Sequence, residues 1–321
     1  MKDIRFAFRG QEYVIPNSWD GLSTEIFLKT IREYLLVETG QLSVGEFRIR
    51  LLCYLMKWNW RKFRDEDAIA NLIVFSEQLT FPFRIMYPDD NAALKELSND
   101  DYAVAVRTEP DHIDAPWAKV LQGLGWRYQF DLCFFRQMLP TLQVGEMTYY
   151  GYEASLSHHA LTTSLTALQY IEARDLIGKP DSLPLMAAIL YMPQPYDSSQ
   201  AHALADEFSH LDDITLQAVR MNFEAVNNFL FTKTSFNLLT RFEKDGKTKS
   251  IITDMTDALY DLSHDGLGNV QEIEQLNVLT YLRILRKKTI DSVRQLHGMK
   301  MELDKIATEV GLPIEIITKI I

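Results

Sequence analysis

Residues 216–230 read LQAVRMNFEAVNNFL, and within them Leu216, Val219, Phe223, Val226 and Leu230 recur in alternating steps of three and four. That spacing keeps one apolar stripe on a helix and scatters it over both faces of a strand, so the segment predicts an amphipathic α-helix. The same pattern returns at Ile252, Met255, Leu259 and Leu262, and again at Val278, Tyr281, Leu282 and Leu285. Working toward the N-terminus, Ala201, Leu204, Phe208 and Leu211 share one side of a further helix. Leu185–Met192 reads as a short buried helix, with Pro184 suited to a first turn and Pro193 to a stop. The region 65–78 suggests another helix.

β-Structure is a minority. Ile4, Phe6 and Phe8 alternate with polar or small residues, Gly10-Gln11 turns, and Tyr13-Val-Ile15 returns, which predicts a hairpin. A second hairpin is expected at Leu142–Val144 and Met147–Tyr150 around Gly145-Glu146. Leu79–Ile85 looks extended, with Pro82 restricting it to an edge, and Ala103–Val106 reads as a short strand. A helix carrying Leu161, Leu165, Leu168 and Ile171 is expected after the second hairpin.

The two halves begin alike. Tyr13, then Leu22-Ser-Thr24, a helix, and Leu52-Cys-Tyr-Leu-Met56 parallel Tyr149, then Leu161-Thr-Thr163, a helix, and Ala188-Ile-Leu-Tyr-Met192. The expected fold is mainly α with minor β. It comprises two helical modules, each preceded by a β-hairpin, and the parallel raises an internal duplication. The expected division is 1–88, an irregular connecting region 89–135, and 136–321. Ser43-Val-Gly-Glu46 is a capping-box pattern opening a helix whose residues Phe47, Leu51, Leu55 and Trp58 share a face.

Composition narrows the function classes. The chain is acidic, with a formal net charge of -11, 47% hydrophobic and 24% charged residues. Such a charge repels phosphate backbones and anionic membranes. Two cysteines, Cys53 and Cys133, are too few for a disulfide framework or a four-cysteine zinc site and read as small core hydrophobes. The first residues lack the apolar core of a signal peptide, so a cytoplasmic protein is expected. Gly123-Leu-Gly125 and Gly266-Leu-Gly268 lack the context of a phosphate loop, and no catalytic motif is recognisable. The expectation is a non-enzymatic protein without a cofactor.

Three clusters carry what chemistry there is. His202, Asp206 and His210 fall at successive steps of four, about 40° apart around a helix, and could face a divalent transition metal; the same face also suits solvated polar residues. Trp58, Trp60, Arg61, Lys62 and Arg64 form a basic-aromatic patch for a partner or a nucleic acid, since aromatics stack on bases while cations meet phosphates. It equally reads as a helix end. Ile314, Ile316, Ile317 and Ile320 make an apolar C-terminal segment, hinged at Gly311-Leu-Pro313, that reads as a docking tail rather than a DNA-reading helix, because it lacks polar residues to reach bases.

Leu139-Pro-Thr-Leu-Gln-Val-Gly145 with Tyr149-Tyr-Gly151, Leu185–Met192 with Pro193 and Tyr196, Ile251-Ile-Thr through Leu262, and Tyr13-Val-Ile-Pro16 with Ser18-Trp19 together resemble recurring stretches of Bacteroidetes phage and prophage proteins of tail morphogenesis, some similar to tail assembly chaperones. The resemblance implies a protein-binding role in tail assembly, with other phage structural or assembly proteins as partners and a tape-measure protein among them. It implies location in the bacterial host cytoplasm or the virion. A structural virion adaptor or connector subunit is the alternative, and a nucleic-acid-binding module the third reading.

Overall fold

A computed structural model describes residues 3–8, 11–88, 92–242, 248–249 and 255–321. The Gly10 turn, the Asp89–Asn91 cluster and Ile251–Thr253 of the sequence reading lie outside these residues. The described residues are mainly helical, and their strands pair only two by two. The chain divides into two compact units, Met1–Leu132 and Cys133–Ile321.

Unit 1 opens with the expected hairpin, β1 (Ile4–Phe8) against β2 (Gln11–Ile15), with Phe6 opposite Tyr13. Helix α1 (Thr24–Glu38) starts at Ser23, whose hydroxyl accepts from the Ile26 N–H at 3.3 Å. Helix α2 (Val44–Met56) carries the capping box read from sequence: Glu46 N–H donates to Ser43 Oγ and Ser43 N–H to Glu46 Oε2. Helix α3 (Glu66–Ser76) follows, capped by Asp65. Phe27, Ile31, Phe47, Leu51 and Leu52 bury the facing stripes of α1 and α2. Trp19 sits among Phe27, Phe81 and Phe130, edge to face, and its indole N–H donates to the Asp131 carbonyl at 2.8 Å.

Strand β3 (Phe83–Met86) pairs antiparallel with β4 (Arg127–Phe130). Between them come α4 (Ala92–Lys95), α5 (Asn99–Ala105) and α6 (Ala118–Gln122). Ile85, Tyr87, Ala105 and Leu121 close a small core of their own. Arg107 ties this stretch to the rest, donating to the carbonyls of Thr80, Phe81 and Phe83 and pairing with Asp131. Two expectations change here. Residues 92–132 belong to unit 1 rather than forming an irregular connector, because β4 finds its partner in β3. Ala103–Val106 is not a strand: Ser98 caps α5, and residues 103–105 form its last turn.

Unit 2 starts with the expected β5 (Thr141–Val144) and β6 (Met147–Tyr150), turning at Gly145 with φ 58°. A second hairpin then intervenes, β7 (Ala154–Ser157) with β8 (Ala160–Thr163), where the sequence suggested a helix through Leu161. Its turn is His158-His159, both at positive φ (47° and 64°). That geometry ordinarily draws asparagine and glycine, so two histidines hide the signal. Helix α7 (Ala167–Asp175) begins only after Thr166, whose hydroxyl accepts from the Gln169 N–H. Helices α8 (Leu183–Tyr191), α9 (Ser198–Phe208) and α10 (Asp213–Lys233) complete the first part of the unit. α8 is nearly all buried, and α10 buries Leu216, Val219, Phe223, Val226 and Leu230 as its period requires.

After a short pair, β9 (Arg241–Phe242) with β10 (Thr248–Lys249), come α11 (Met255–His264), α12 (Val270–Glu274), α13 (Val278–Gly298), α14 (Leu303–Val310) and α15 (Ile314–Ile320). Backbone hydrogen bonds Ala167 N–H to Leu276 O and Val278 N–H to Leu165 O pin the starts of α7 and α13 together. Both units therefore run hairpin, capped helix, buried helix, third helix. A buried leucine precedes a capping hydroxyl in each unit, Leu22-Ser23 and Leu165-Thr166, whereas Leu161-Thr-Thr163 of the sequence parallel lies in β8. Among the described residues no helix is long and apolar enough to cross a membrane.

Candidate partner-binding site

The basic-aromatic patch begins where α2 stops. Lys57 takes the left-handed conformation (φ 55°, ψ 32°), and the Trp58 N–H returns to the Cys53 carbonyl at 2.8 Å. Trp58 therefore leaves the α2 face on which the helical count placed it. Asn59 caps a short 3-10 turn, Trp60–Lys62, by accepting from the Arg61 N–H, and this turn throws Trp60, Arg61 and Lys62 outward. A left-handed non-glycine residue carries backbone strain of about 1 kcal/mol. Lys57→Gly is accordingly expected to raise the stability of unit 1 by about 0.5–1 kcal/mol. All five tryptophans (Trp19, Trp58, Trp60, Trp117, Trp126) lie in unit 1, so urea unfolding followed by tryptophan fluorescence reads that change directly. Loss of stability instead would show that the lysine side chain contributes more than its backbone costs.

Trp58 and Phe63 meet at 5.9 Å between ring centroids. With Phe6 of β1 and Leu72, Val74 and Phe75 of α3 they line an open groove of about 680 Å³. Phe6 is held by stacking on Tyr13 (5.2 Å) and by an edge contact with Phe75 (4.3 Å). On its other side Trp58 borders a second, more polar groove of about 930 Å³, together with Lys29, Lys57, Trp60 and Arg61. Lys57, Arg61, Lys62 and Arg64 are exposed, and none forms a salt bridge among the described residues. Lys57 and Arg61 thus line the polar groove, while Lys62 and Arg64 flank Phe63 of the apolar one in the chain, in a protein whose net charge is -11.

Trp60 is 37% exposed, with the guanidinium groups of Arg50 and Arg61 at 5.1 and 5.5 Å from its ring centroid. Arg50 is itself anchored to Glu33 at 2.6 Å, and Glu33 also accepts from the Tyr54 hydroxyl. Burial and that carboxylate push the Tyr54 hydroxyl up to about 12. Cys53 lies against the polar groove but is fully buried, and burial raises its thiol to about 11, which removes it as a thiolate nucleophile at neutral pH.

Comparison with protein-family models, curated proteins and solved structures finds no match for this chain. The site must therefore be read from its own chemistry.

The other sequence candidates end differently. His202, Asp206 and His210 are all exposed, with His202 and Asp206 on α9 and His210 just beyond it; among the described residues no group of three or more His, Cys, Asp or Glu comes together to hold a metal. The C-terminal isoleucines dock on their own unit. Ile317 is buried with Ile306 of α14, Val293 of α13 and Leu238, Ile316 and Ile320 pack on the same cluster, and Ile314 and the terminal Ile321 stay 39% and 49% exposed. Cys133 is half-buried rather than core, its sulfur 3.4 Å from the Thr232 hydroxyl. What the sequence reading missed is the outer arc of α3, where Ile69, Ile73 and Val74 are 38%, 40% and 64% exposed. The signal was available: apolar residues occur on every side of that helix, too many for its buried stripe alone.

Proposed function

We propose that this chain is a non-enzymatic protein-binding component of phage or prophage tail assembly, acting as a chaperone that covers apolar stretches of a long partner such as a tape-measure protein. The observation that carries the protein-binding part is the open aromatic groove of unit 1, walled by Phe6, Trp58, Phe63 and Phe75 beside the exposed apolar arc of α3. Contiguous exposed apolar surface of this kind marks interaction sites. The tail-assembly part rests on the resemblance of residues 139–151, 185–196 and 251–262. Co-expression with the tape-measure protein of the same phage is expected to give a soluble complex that survives size-exclusion chromatography. A tape-measure protein left unbound and insoluble would overturn the reading. Recovery of this chain as a ring in purified particles would favour a virion adaptor or connector instead.

A nucleic-acid role fits the site less well. Base stacking needs a free aromatic face, and two arginines already attend Trp60, the most exposed ring of the patch.

A further inference from the structure

The two units provide an internal control for the exposed arc of α3. In each, an aromatic of the first hairpin rests on a phenylalanine near the C-terminal end of the third helix: Phe6 on Phe75 at 4.3 Å, and Tyr149 on Phe208 at 4.9 Å. Aligning the helices on those phenylalanines places His202 at the position of Ile69, Asp206 at that of Ile73 and Glu207 at that of Val74. All six residues are exposed. Counted from that contact, which uses the first strand of the hairpin in unit 1 and the second in unit 2, α9 carries a histidine and two carboxylates, Glu207 accepting from the Tyr149 hydroxyl at 3.0 Å, where α3 carries two isoleucines and a valine. A third helix that makes this aromatic contact can do without apolar residues at those positions, as α9 does. Uncovered, they are a standing aggregation liability.

We infer that this arc of α3, together with the Trp58–Phe63 groove, holds an amphipathic helix of another protein that carries carboxylates along the edge of its apolar stripe. Charge complementarity selects that occupant. Lys62 and Arg64 flank the groove-lining Phe63 in the chain, both exposed and with no salt bridge among the described residues, and carboxylates on the incoming helix would supply their counter-charges. The acidic residues nearest in sequence, Asp65, Glu66 and Asp67, sit at the N-terminus of α3, where Asp65 caps the helix and all three complement its dipole. A second copy fits poorly. A two-fold contact through this face would set the same cations against each other. The chain's own apolar tail is already spent, since Ile317 is buried against α13 and α14.

This inference rests on the protein-binding reading above and sharpens it. The probes are two fluorescein-labelled amphipathic peptides of about 20 residues, long enough to become helical on binding, with the same leucine stripe flanked either by glutamates or by lysines. Fluorescence anisotropy with the full chain is expected to show the glutamate-flanked peptide binding about tenfold or more tightly than the lysine-flanked one, the difference shrinking at high salt. Ile73→Asp with Val74→Asp is expected to weaken both peptides at least about tenfold. Lys62→Glu with Arg64→Glu should weaken only the glutamate-flanked one. These positions are exposed, so circular dichroism and thermal unfolding should stay as in the unsubstituted chain.

The inference is overturned by absence of binding, by tighter binding of the lysine-flanked peptide, or by indifference to the α3 substitutions. It is also overturned if the chain dimerises in sedimentation and Val74→Asp abolishes the dimer. A chain that keeps the tape-measure protein soluble regardless of the α3 substitutions would refute this site while leaving the proposed function standing. Peptide binding as described without tape-measure binding would do the reverse.

Discussion

Glu109→Ala is expected to destabilise unit 1 by about 3 kcal/mol or more, because it strands a buried arginine. Arg48 projects from α2 with only 4% exposure, and its terminal nitrogen lies 3.3 Å from Glu109 Oε1 and 3.5 Å from the Tyr128 hydroxyl. Tyr128 donates its own hydroxyl to the same carboxylate, and its ring lies 5.1 Å from the guanidinium. The carboxylate is thus the anionic partner of Arg48, and the Arg48 Nε is already without a hydrogen-bond partner. A guanidinium cannot shed its proton to escape burial, so the full penalty of an unpaired internal charge falls on the fold. Replacing both members, Arg48→Met with Glu109→Leu, is expected to cost far less than Glu109→Ala, since both charges leave together. Urea unfolding followed by tryptophan fluorescence reports both variants. A Glu109→Ala chain within about 1 kcal/mol of the unsubstituted protein would show that water already reaches the pair, at which point a surface-bridge magnitude applies.

In unit 2, Asn222→Leu is expected to lose about 1–3 kcal/mol although leucine suits the helix better. Asn222 is 1% exposed on α10. Its carbonyl accepts from the Met138 N–H at 2.7 Å and its amide donates to the Arg136 carbonyl at 2.8 Å. One side chain thereby satisfies two backbone groups of the irregular segment that leads into β5. Leucine would remove both hydrogen bonds, each worth about 0.5–1.5 kcal/mol net. Amide hydrogen exchange is the suitable measurement: protection should fall at Met138 first and along α10 with it. Unchanged protection at Met138 would mean that water replaces the lost amide.

The helices of this protein were legible because their causes are local. Ser43 and Glu46 are three residues apart and cap each other wherever the chain goes, and the period of Leu216–Leu230 needs only one buried side to become a helix. Both parallel hairpin-and-helix beginnings could be seen for the same reason. The hairpin at His158-His159 could not, because its left-handed turn lacks the residues that normally announce one. Nor could the membership of residues 92–132 in unit 1, which depends on β4 finding β3 and on Arg107 reaching three carbonyls of an earlier segment.

The candidate site divides in the same way. Trp58, Trp60, Arg61, Lys62 and Arg64 announce themselves as a cluster in any linear reading. That Trp58 turns off α2 to wall a groove, and that Ile69, Ile73 and Val74 stay uncovered, are properties of the packed chain. Burial is a many-body outcome. A polar Arg48 goes inside because Glu109 and Tyr128 arrive from distant segments to meet it, while three apolar residues of α3 stay exposed because the described residues of their unit cover them only in part. Local periodicity specifies which faces a helix has; only the assembled neighbours settle which of those faces meets water.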